Sequence, residues 1–363
     1  MYIKELELKN FRNYKDLNIK FDENINFIIG NNAQGKTNLI ESIFICSIGK
    51  SFRTSKDSDM IGFEKDFAKI KLTAQKQLFP TDVEVNIRKD HGKSIKIDGI
   101  SISKTSELLD NLYIVIFSPE DLKIVKDEPE KRRRFIDREL CVLKPSYFDS
   151  ITNYKKIILQ RNNYLKEKNI DSTVLDIWDI QLAKYGAKII SMRSEFIEKL
   201  NKISSCIHSN ITNKKENLKI EYEPNVKTKN NIENALYNTI KKSQENDLRL
   251  RTTTRGPHRD DISFFIDSIN VRNFGSQGQQ RTAALSLKLA ELNLIKEETG
   301  EDAILLLDDV MSELDAERQE FLIKTLSDIQ LFITTTEITD SLKNTLSDGK
   351  VFTVENGKII SIE

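Results

Sequence analysis

Eight consecutive residues, Gly30-Asn31-Asn32-Ala33-Gln34-Gly35-Lys36-Thr37, have the form G-x-x-x-x-G-K-[ST]. In this pattern backbone N–H groups wrap phosphates at a helix start, Lys36 brings positive charge toward the β- and γ-phosphates, and the Thr37 hydroxyl can ligate Mg²⁺. Glycine at positions 30 and 35 allows backbone angles and a close approach that a Cβ would obstruct. Asn38 follows in the same first turn. The flanks suit the motif: Ile25 to Ile29 reads as a buried strand, and Leu39, Ile40, Ile43, Phe44 and Ile48 follow helical spacing from Lys36 onward.

A second site is written far along the chain, where the apolar run Ile304-Leu305-Leu306-Leu307 ends in Asp308-Asp309. Adjacent carboxylates at the end of an apolar strand need a partner, because a half-buried charge is costly alone. Beside a phosphate loop that partner is Mg²⁺, held by Asp308, with Asp309 free to orient or deprotonate a water. Lys36 and Asp309 are therefore the catalytic candidates, and Thr37 and Asp308 the metal ligands. Between the two sites lies Phe274-Gly275-Ser276-Gln277-Gly278-Gln279-Gln280, directly before a long helical pattern. Ser276, Gly278 and Gln279 form either a second anion loop, facing a nucleotide held by another copy of the chain, or an ordinary helix cap.

The elements that must position these residues read as an α/β head with an insertion. Strand patterns run at Tyr2–Leu8, Leu17–Phe21, Ile25–Ile29, Phe67–Ala74, Asp82–Arg88, Ser94–Ile97 and Tyr113–Phe117. From about Asp121 to Leu250 the text is charged and helix-patterned, with Trp178, Leu182, Tyr185, Ile189 and Met192 as one stripe. The Lys- and Asn-rich stretch 210–231 reads as irregular or partly extended. Strands return at Ile262–Ile266 and Ile269–Val271, then a helix at Arg281–Ile295, a strand at Ala303–Leu307, a helix at Ala316–Leu326, a strand at Leu331–Thr334 and a closing hairpin around Asn356-Gly357. The expected domains are 1–118 and 296–363 as two parts of one ATP-binding lobe, with 119–295 as a helical lobe.

Composition narrows the function classes. The 363 residues carry 56 Lys plus Arg against 56 Asp plus Glu, so any polyanion surface must be local. Cys46, Cys141 and Cys206 are too scattered for a disulfide framework or a metal knuckle. The N-terminal segment lacks the apolar core of a secretory signal, and no apolar run is long enough to span a bilayer. A cytoplasmic, membrane-free protein is the expectation.

Taken together, the motifs resemble those of the ABC-type ATPases, with Ser276 to Gln280 similar to a variant of their L-S-G-G-Q signature. Ser312-Glu313-Leu314-Asp315 resembles the loop that meets the opposite subunit across an ATP sandwich. Within that superfamily the chain resembles the RecF family over nearly its whole length. The resemblance is carried by Lys9-Asn10-Phe11-Arg12-Asn13-Tyr14, Arg132-Arg133-Arg134-Phe135-Ile136-Asp137, Arg255-Gly256-Pro257-His258-Arg259-Asp260-Asp261, and the run from Leu306 to Asp315. It implies an ABC-type head, a mixed sheet around the phosphate-loop helix, with an inserted helical lobe and no long coiled coil. It also implies ATP and Mg²⁺ as cofactors, an ATP-dependent homodimer, and sequence-independent binding of gapped or duplex DNA. The implied pathway is DNA replication, repair and the SOS response, with RecR as partner and RecO and RecA beyond it. Arg12 would lie near the phosphates. Asp309 replaces the usual glutamate, and Thr335 and Thr336 stand where a histidine is usual, so slow hydrolysis is implied. No glutamine follows the strand ending at Phe117. A transporter's nucleotide-binding subunit, another SMC-like ATPase, a small-molecule kinase and a P-loop module without turnover are the alternatives.

Three basic stretches are candidate DNA contacts: Lys131 to Arg138, with Arg132, Arg133 and Arg134; Lys155, Lys156 and Arg161; and Arg249, Arg251, Arg255 and Arg259. Pairing of the first with Asp127, Glu128 and Glu130 is the competing reading. His258 and Arg259 fit either a structural turn or a nucleotide sensor.

Overall fold

The computed structural model describes residues 1–76, 79–104, 106–109, 111–228, 231–326, 328–337 and 349–363. Two compact units form, Met1–Asp121 with Ile295–Glu363, and Leu122–Leu294.

The first unit opens with strands β1 (Tyr2–Phe11), β2 (Tyr14–Lys20) and β3 (Ile25–Ile29), then helix α1 (Lys36–Ile48). Strands β4 (Phe67–Gln75), β5 (Pro80–Arg88), β6 (Gly92–Ile97) and β7 (Ile100–Ser101), a short helix α2 (Ser106–Leu109) and strand β8 (Ile114–Phe117) follow. The second unit holds α3 (Pro129–Leu143), α4 (Pro145–Tyr164), α5 (Ser172–Ile211), β9 (Leu218–Glu223), α6 (Ile232–Leu250), β10 (Asp261–Ile266), β11 (Ile269–Asn270) and α7 (Val271–Phe274). Helix α8 (Gln277–Thr299) begins there and ends in the first unit, which closes with β12 (Ile304–Asp308), α9 (Ala316–Thr325), β13 (Leu331–Thr335), β14 (Gly349–Glu355) and β15 (Lys358–Ile362).

Two six-stranded sheets enclose α1 in the first unit. One is antiparallel, in the order β2-β1-β4-β5-β6-β7; the other has the order β15-β14-β3-β13-β12-β8, with every pairing parallel except β14 with β15. In β4 and β5 alternate residues are buried, with Ala68, Ile70 and Leu72 facing the same core as Val83, Val85 and Ile87. By contrast β12 and β13 are buried at every position, as parallel strands covered on both faces require. Helix α1 touches strands of both sheets, which is why Leu39 through Ser47 are all buried. The parallel strands end along one edge, where ligands of such sheets sit. Thr37, Asp308 and Thr334 all lie at that edge.

In the second unit the 40-residue α5 packs on α4, α6 and β9. Its buried seam runs through Leu175, Asp179, Leu182, Gly186, Ile189, Arg193, Ile197 and Leu200. Trp178, Tyr185 and Met192 from the expected stripe are half-buried at its margin. The seam differs from an apolar pattern because two of its members are charged and paired. Within the stretch expected to be irregular or partly extended, the extended part is Leu218–Glu223, a regular strand paired antiparallel with β10 and burying Leu218 and Ile220. Residues 229 and 230 of that stretch lie outside the described residues.

Candidate functional site

The phosphate loop is braced from two turns. Asn13 Nδ2 donates to the Gln34 carbonyl at 2.9 Å and the Tyr14 hydroxyl to the Gly35 carbonyl at 3.1 Å. From the β14–β15 turn, Gly357 N donates to the Gln34 carbonyl at 2.9 Å and Asn356 N to Gln34 Oε1 at 2.7 Å. Gln34 is thus held by its backbone and side chain alike. A Cβ at Gly30 would stand 2.4 Å from the Val354 carbonyl oxygen, and one at Gly35, where φ is +122°, 2.7 Å from the Asn13 amide nitrogen. Asn31, Asn32 and Ala33 are exposed at the loop crest. No side chain caps α1, which leaves its first N–H groups to an anion. Lys36 curls back over the loop, with Nζ donating to the carbonyls of Gly30 at 2.5 Å and Asn31 at 3.1 Å. Burial lowers the Lys36 pKa while Asp309 and Asp308 oppose that shift.

The acid pair comes to the loop across 271 residues of chain. Thr37 Oγ1 donates to Asp308 Oδ1 at 3.0 Å, and Thr334 Oγ1 donates to the same oxygen at 2.9 Å. Burial raises the Asp308 pKa, the neighbouring Asp309 adds to that, and the two threonine hydroxyls and Arg53 work against it. Asp309 takes a left-handed backbone, φ +56°, and its N–H donates to Thr334 Oγ1 at 2.8 Å. A carboxylate and a hydroxyl this close are hard oxygen donors of the number Mg²⁺ draws from a protein when phosphates and water supply the rest. Asp308 and Thr37 therefore fit the ion.

Arg12, Asn38, Glu41 and Arg53 form a neighbouring cluster. Arg12 Nε and Nη2 donate to Glu41 at 2.9 and 2.6 Å, and Nη1 donates to the Asp59 carbonyl at 2.6 Å. Arg12 is thus held against the second turn of α1 by three of its five N–H groups, and one N–H on each Nη remains for a phosphate. Asn38 donates to Asn13 Oδ1 at 2.8 Å and accepts from Arg53 at 2.6 Å, so it steadies the side chain that holds the Gln34 carbonyl. Arg53 and Thr334 are the residues that sequence reasoning missed. Arg53 stands in no recognised motif, and Thr334 reads as an ordinary β-branched strand residue.

Ser276 and Gln279 cap α8 reciprocally, Ser276 N donating to Gln279 Oε1 at 3.0 Å and Gln279 N to Ser276 Oγ at 3.2 Å. Gln279 Nε2 also donates to Glu216 at 2.9 Å. Ser276 is exposed and Gly278 half-buried. In the following acidic loop, Asp315 caps α9 by accepting from Arg318 N at 3.0 Å.

The helical unit corrects part of the basic-surface expectation. Arg132 is buried: Nε and Nη2 donate to both Asp261 oxygens at 2.7 and 2.9 Å, and Nη1 to the carbonyls of Ile124 and Asp127. Four of its five N–H donors are engaged and the side chain is 1% exposed, so it presents no surface to DNA. Arg133 and Arg134 remain accessible, Arg134 pairing with Glu130 within its own helix. Lys155 and Lys156 are exposed, with Lys155 3.4 Å from Asp137. A cleft of about 280 Å³ is lined by Glu130, Arg133, Arg134, Asp137, Tyr154 and Lys155, with Arg193 and His258 at its base. Burial lowers the Arg133 pKa, and the positive charges of Arg193 and Arg259 lower it further, so two distant basic stretches share one field.

His258 is structural. Its Nε2 lies 2.9 Å from the Thr253 carbonyl and its Nδ1 2.9 Å from the Tyr154 hydroxyl. The carbonyl can only accept, so the proton sits on Nε2 and Nδ1 accepts from Tyr154. Burial pushes the imidazole down to about 4. Around it, Arg193 joins Tyr147, the Pro257 carbonyl, Asp260 and Asp137 at 2.7 to 3.1 Å.

The family model described as RecF/RecN/SMC N terminal domain matches residues 2–359. The DNA replication and repair protein RecF of Clostridium perfringens is 47% identical over 359 residues, covering 99% of both chains. That of Clostridium kluyveri is 46% identical over 364 residues, covering all of both. A solved structure of the recombination mediator RecF with ATP, in the RecFOR pathway, superposes with a TM-score of 0.91 at 38% identity, over 100% of this chain and 97% of that one. The Smc head domain of Pyrococcus furiosus, with its extended coiled coil, shares the fold at a TM-score of 0.56 and 17% identity, over 98% and 93%. The transporter-subunit and small-molecule-kinase alternatives therefore fall. Similarity of this degree along the full chain, with a phosphate loop and acid pair joined at one sheet edge, makes this protein a member of the RecF family of SMC-type ATPase heads.

Proposed function

We propose that the protein is an ATP-driven DNA-binding switch of recombinational gap repair. It closes as a homodimer on ATP, binds duplex DNA at gaps without reading sequence, and works with RecR and RecO to place RecA on single strands. The observation that carries the reading is the meeting of Thr37, Asp308 and Asp309 beside an uncapped helix start whose loop is braced on both sides. The solved relatives carry ATP and its analogue and belong to the RecFOR pathway, which supports ATP as ligand and RecO and RecR as partners.

In this reading the loop N–H groups from Gly30 to Thr37 and the Lys36 ammonium hold the phosphates. Thr37 and Asp308 would hold Mg²⁺, which neutralises charge on the β- and γ-phosphates when bound. Asp309 orients and deprotonates the attacking water; its side chain is one methylene shorter than glutamate, so turnover is slow and suits a switch. The Ser276 loop of one copy meets the nucleotide of the other, where the Ser276 hydroxyl proton and the positive end of the capped helix α8 complete the anion site.

Sedimentation with ATP and Mg²⁺, with and without gapped duplex, tests the reading. Wild type should dimerise only with nucleotide. Lys36→Ala should lose nucleotide binding, and Ser276→Arg should keep it yet stay monomeric, because bulk and charge would meet the trans nucleotide. Normal dimerisation of Ser276→Arg would end the sandwich reading.

A further inference from the structure

Thr334 has a role that its strand context does not require. It sits on β13, between the phosphate-loop strand β3 and the acid strand β12, in register with Ile28 on one side and Asp308 on the other. Its neighbours Leu331, Phe332 and Ile333 are buried and apolar, and valine has the same shape. A hydroxyl buried to 1% exposure is costly unless it is hydrogen-bonded, so its partners explain its presence. The two short bonds belong to the site: Oγ1 donates to Asp308 Oδ1 at 2.9 Å and accepts from the Asp309 N–H at 2.8 Å, while the Leu307 carbonyl stands farther off at 3.5 Å. The next residue does nothing similar, since Thr335 Oγ1 donates to the Glu337 carbonyl.

We infer that Thr334 is a positioning residue that sets both acids through one hydroxyl, aiming the Asp308 carboxylate and holding Asp309 in the left-handed turn that presents its side chain. The inference rests on the ATPase reading above. Thr37 donates to the same Asp308 oxygen, but its hydroxyl is the one that a metal would claim. Thr334 then remains as the donor that keeps Asp308 oriented. The φ of +56° at Asp309 is disfavoured for a residue with a Cβ, and the bond from its N–H to Thr334 offsets that cost at the position where the side chain must face a water.

The test compares Thr334→Val, which keeps the shape and removes the hydroxyl, with Thr334→Ser, which keeps the hydroxyl. Binding of a fluorescent ATP analogue is measured with EDTA and across a Mg²⁺ titration, beside steady-state turnover. For Thr334→Val, metal-free binding should match wild type, because Lys36 and the loop hold the phosphates. Its Mg²⁺ half-saturation should rise about 10-fold and kcat fall about 10- to 100-fold, as for other groups that orient metal ligands. Thr334→Ser should restore both. If Thr334→Val matches wild type, or if serine fails as badly as valine, the inference is wrong. Should valine not fold, the contrast between Thr334→Ala and Thr334→Ser isolates the same hydroxyl. A wild type that gains no affinity from Mg²⁺ would instead sink the ATPase reading.

Discussion

Replacing Arg132 separates a structural arginine from a DNA contact. Arg132→Gln removes a bidentate pair with Asp261 and two bonds to the carbonyls of Ile124 and Asp127. Breaking a buried pair by deleting one partner costs about 3 to 5 kcal/mol. Asp261 keeps a bond from Ile262 N and is 20% exposed, so the low end, about 3 kcal/mol, applies to it. Each carbonyl left without a donor adds about 1 kcal/mol. The sum, about 5 kcal/mol, is as large as the whole stability of many domains. Arg134→Gln, whose side chain is 75% exposed and pairs only within its own helix turn, should cost less than about 0.5 kcal/mol. Urea unfolding followed by circular dichroism measures both, and at about 2 kcal/mol per molar urea the Arg132 variant should unfold about 2.5 M earlier. If Arg132→Gln unfolds with wild type yet no longer binds DNA, the arginine contacts nucleic acid and the ion pair is incidental.

Asp309→Asn should retain ATP and Mg²⁺ binding, lower single-turnover hydrolysis by about 100-fold or more, and accumulate dimer; equal hydrolysis moves the base elsewhere. Gly35→Ala should abolish nucleotide binding measured by fluorescence titration, because the Cβ would strike Asn13 in a backbone conformation of φ +122°; unchanged affinity refutes the close fit. His258 is held near 4 by burial, below its ordinary 6.5, so the unfolded chain takes the proton first as pH falls. Its stabilisation is complete above about pH 6.5 and is lost toward pH 4, a loss of about 3 kcal/mol that His258→Gln should flatten in urea melts across that range.

Local sequence carried the head because its chemistry is written in contiguous runs. The α1 bounds, the buried strand before it and the carboxylates ending β12 all follow from apolar spacing and a motif whose residues act where they stand. What stayed hidden depends on partners far along the chain. Arg132 looks like part of an exposed basic run, and only Asp261, 129 residues away, makes it internal. Arg161 behaves alike, fully buried between Asp179 and Asp247. Arg193 and Asp179 interrupt the apolar stripe of α5, so the periodicity of apolar residues alone misses its seam. Thr334 was illegible for the opposite reason, since its residue type is what a strand would choose anyway.

The same buried pairs bear on how tightly one copy can hold DNA. With Arg132 internal, the cleft is lined by Arg133, Arg134, Lys155 and Arg193 against Glu130 and Asp137, a net of 4 − 2 = +2, and Arg193 and Asp137 neutralise each other's share of it. So small a surplus binds a polyanion weakly, and each neutralised phosphate adds about 0.9 to the slope of log K against log salt. On the proposed function, two copies closed on nucleotide would present two such clefts to one duplex, and the second would engage at the effective concentration set by the first. In that reading the nucleotide would control DNA binding without moving any DNA-contacting residue. The salt slope of gapped-duplex binding should accordingly be about twice as steep for wild type with ATP as for monomeric Ser276→Arg, measured by fluorescence anisotropy. Glutamate at Arg133 and Lys155 should flatten both while leaving nucleotide affinity unchanged. If the slopes of wild type and Ser276→Arg are equal, one copy makes all the contacts and the duplex lies elsewhere.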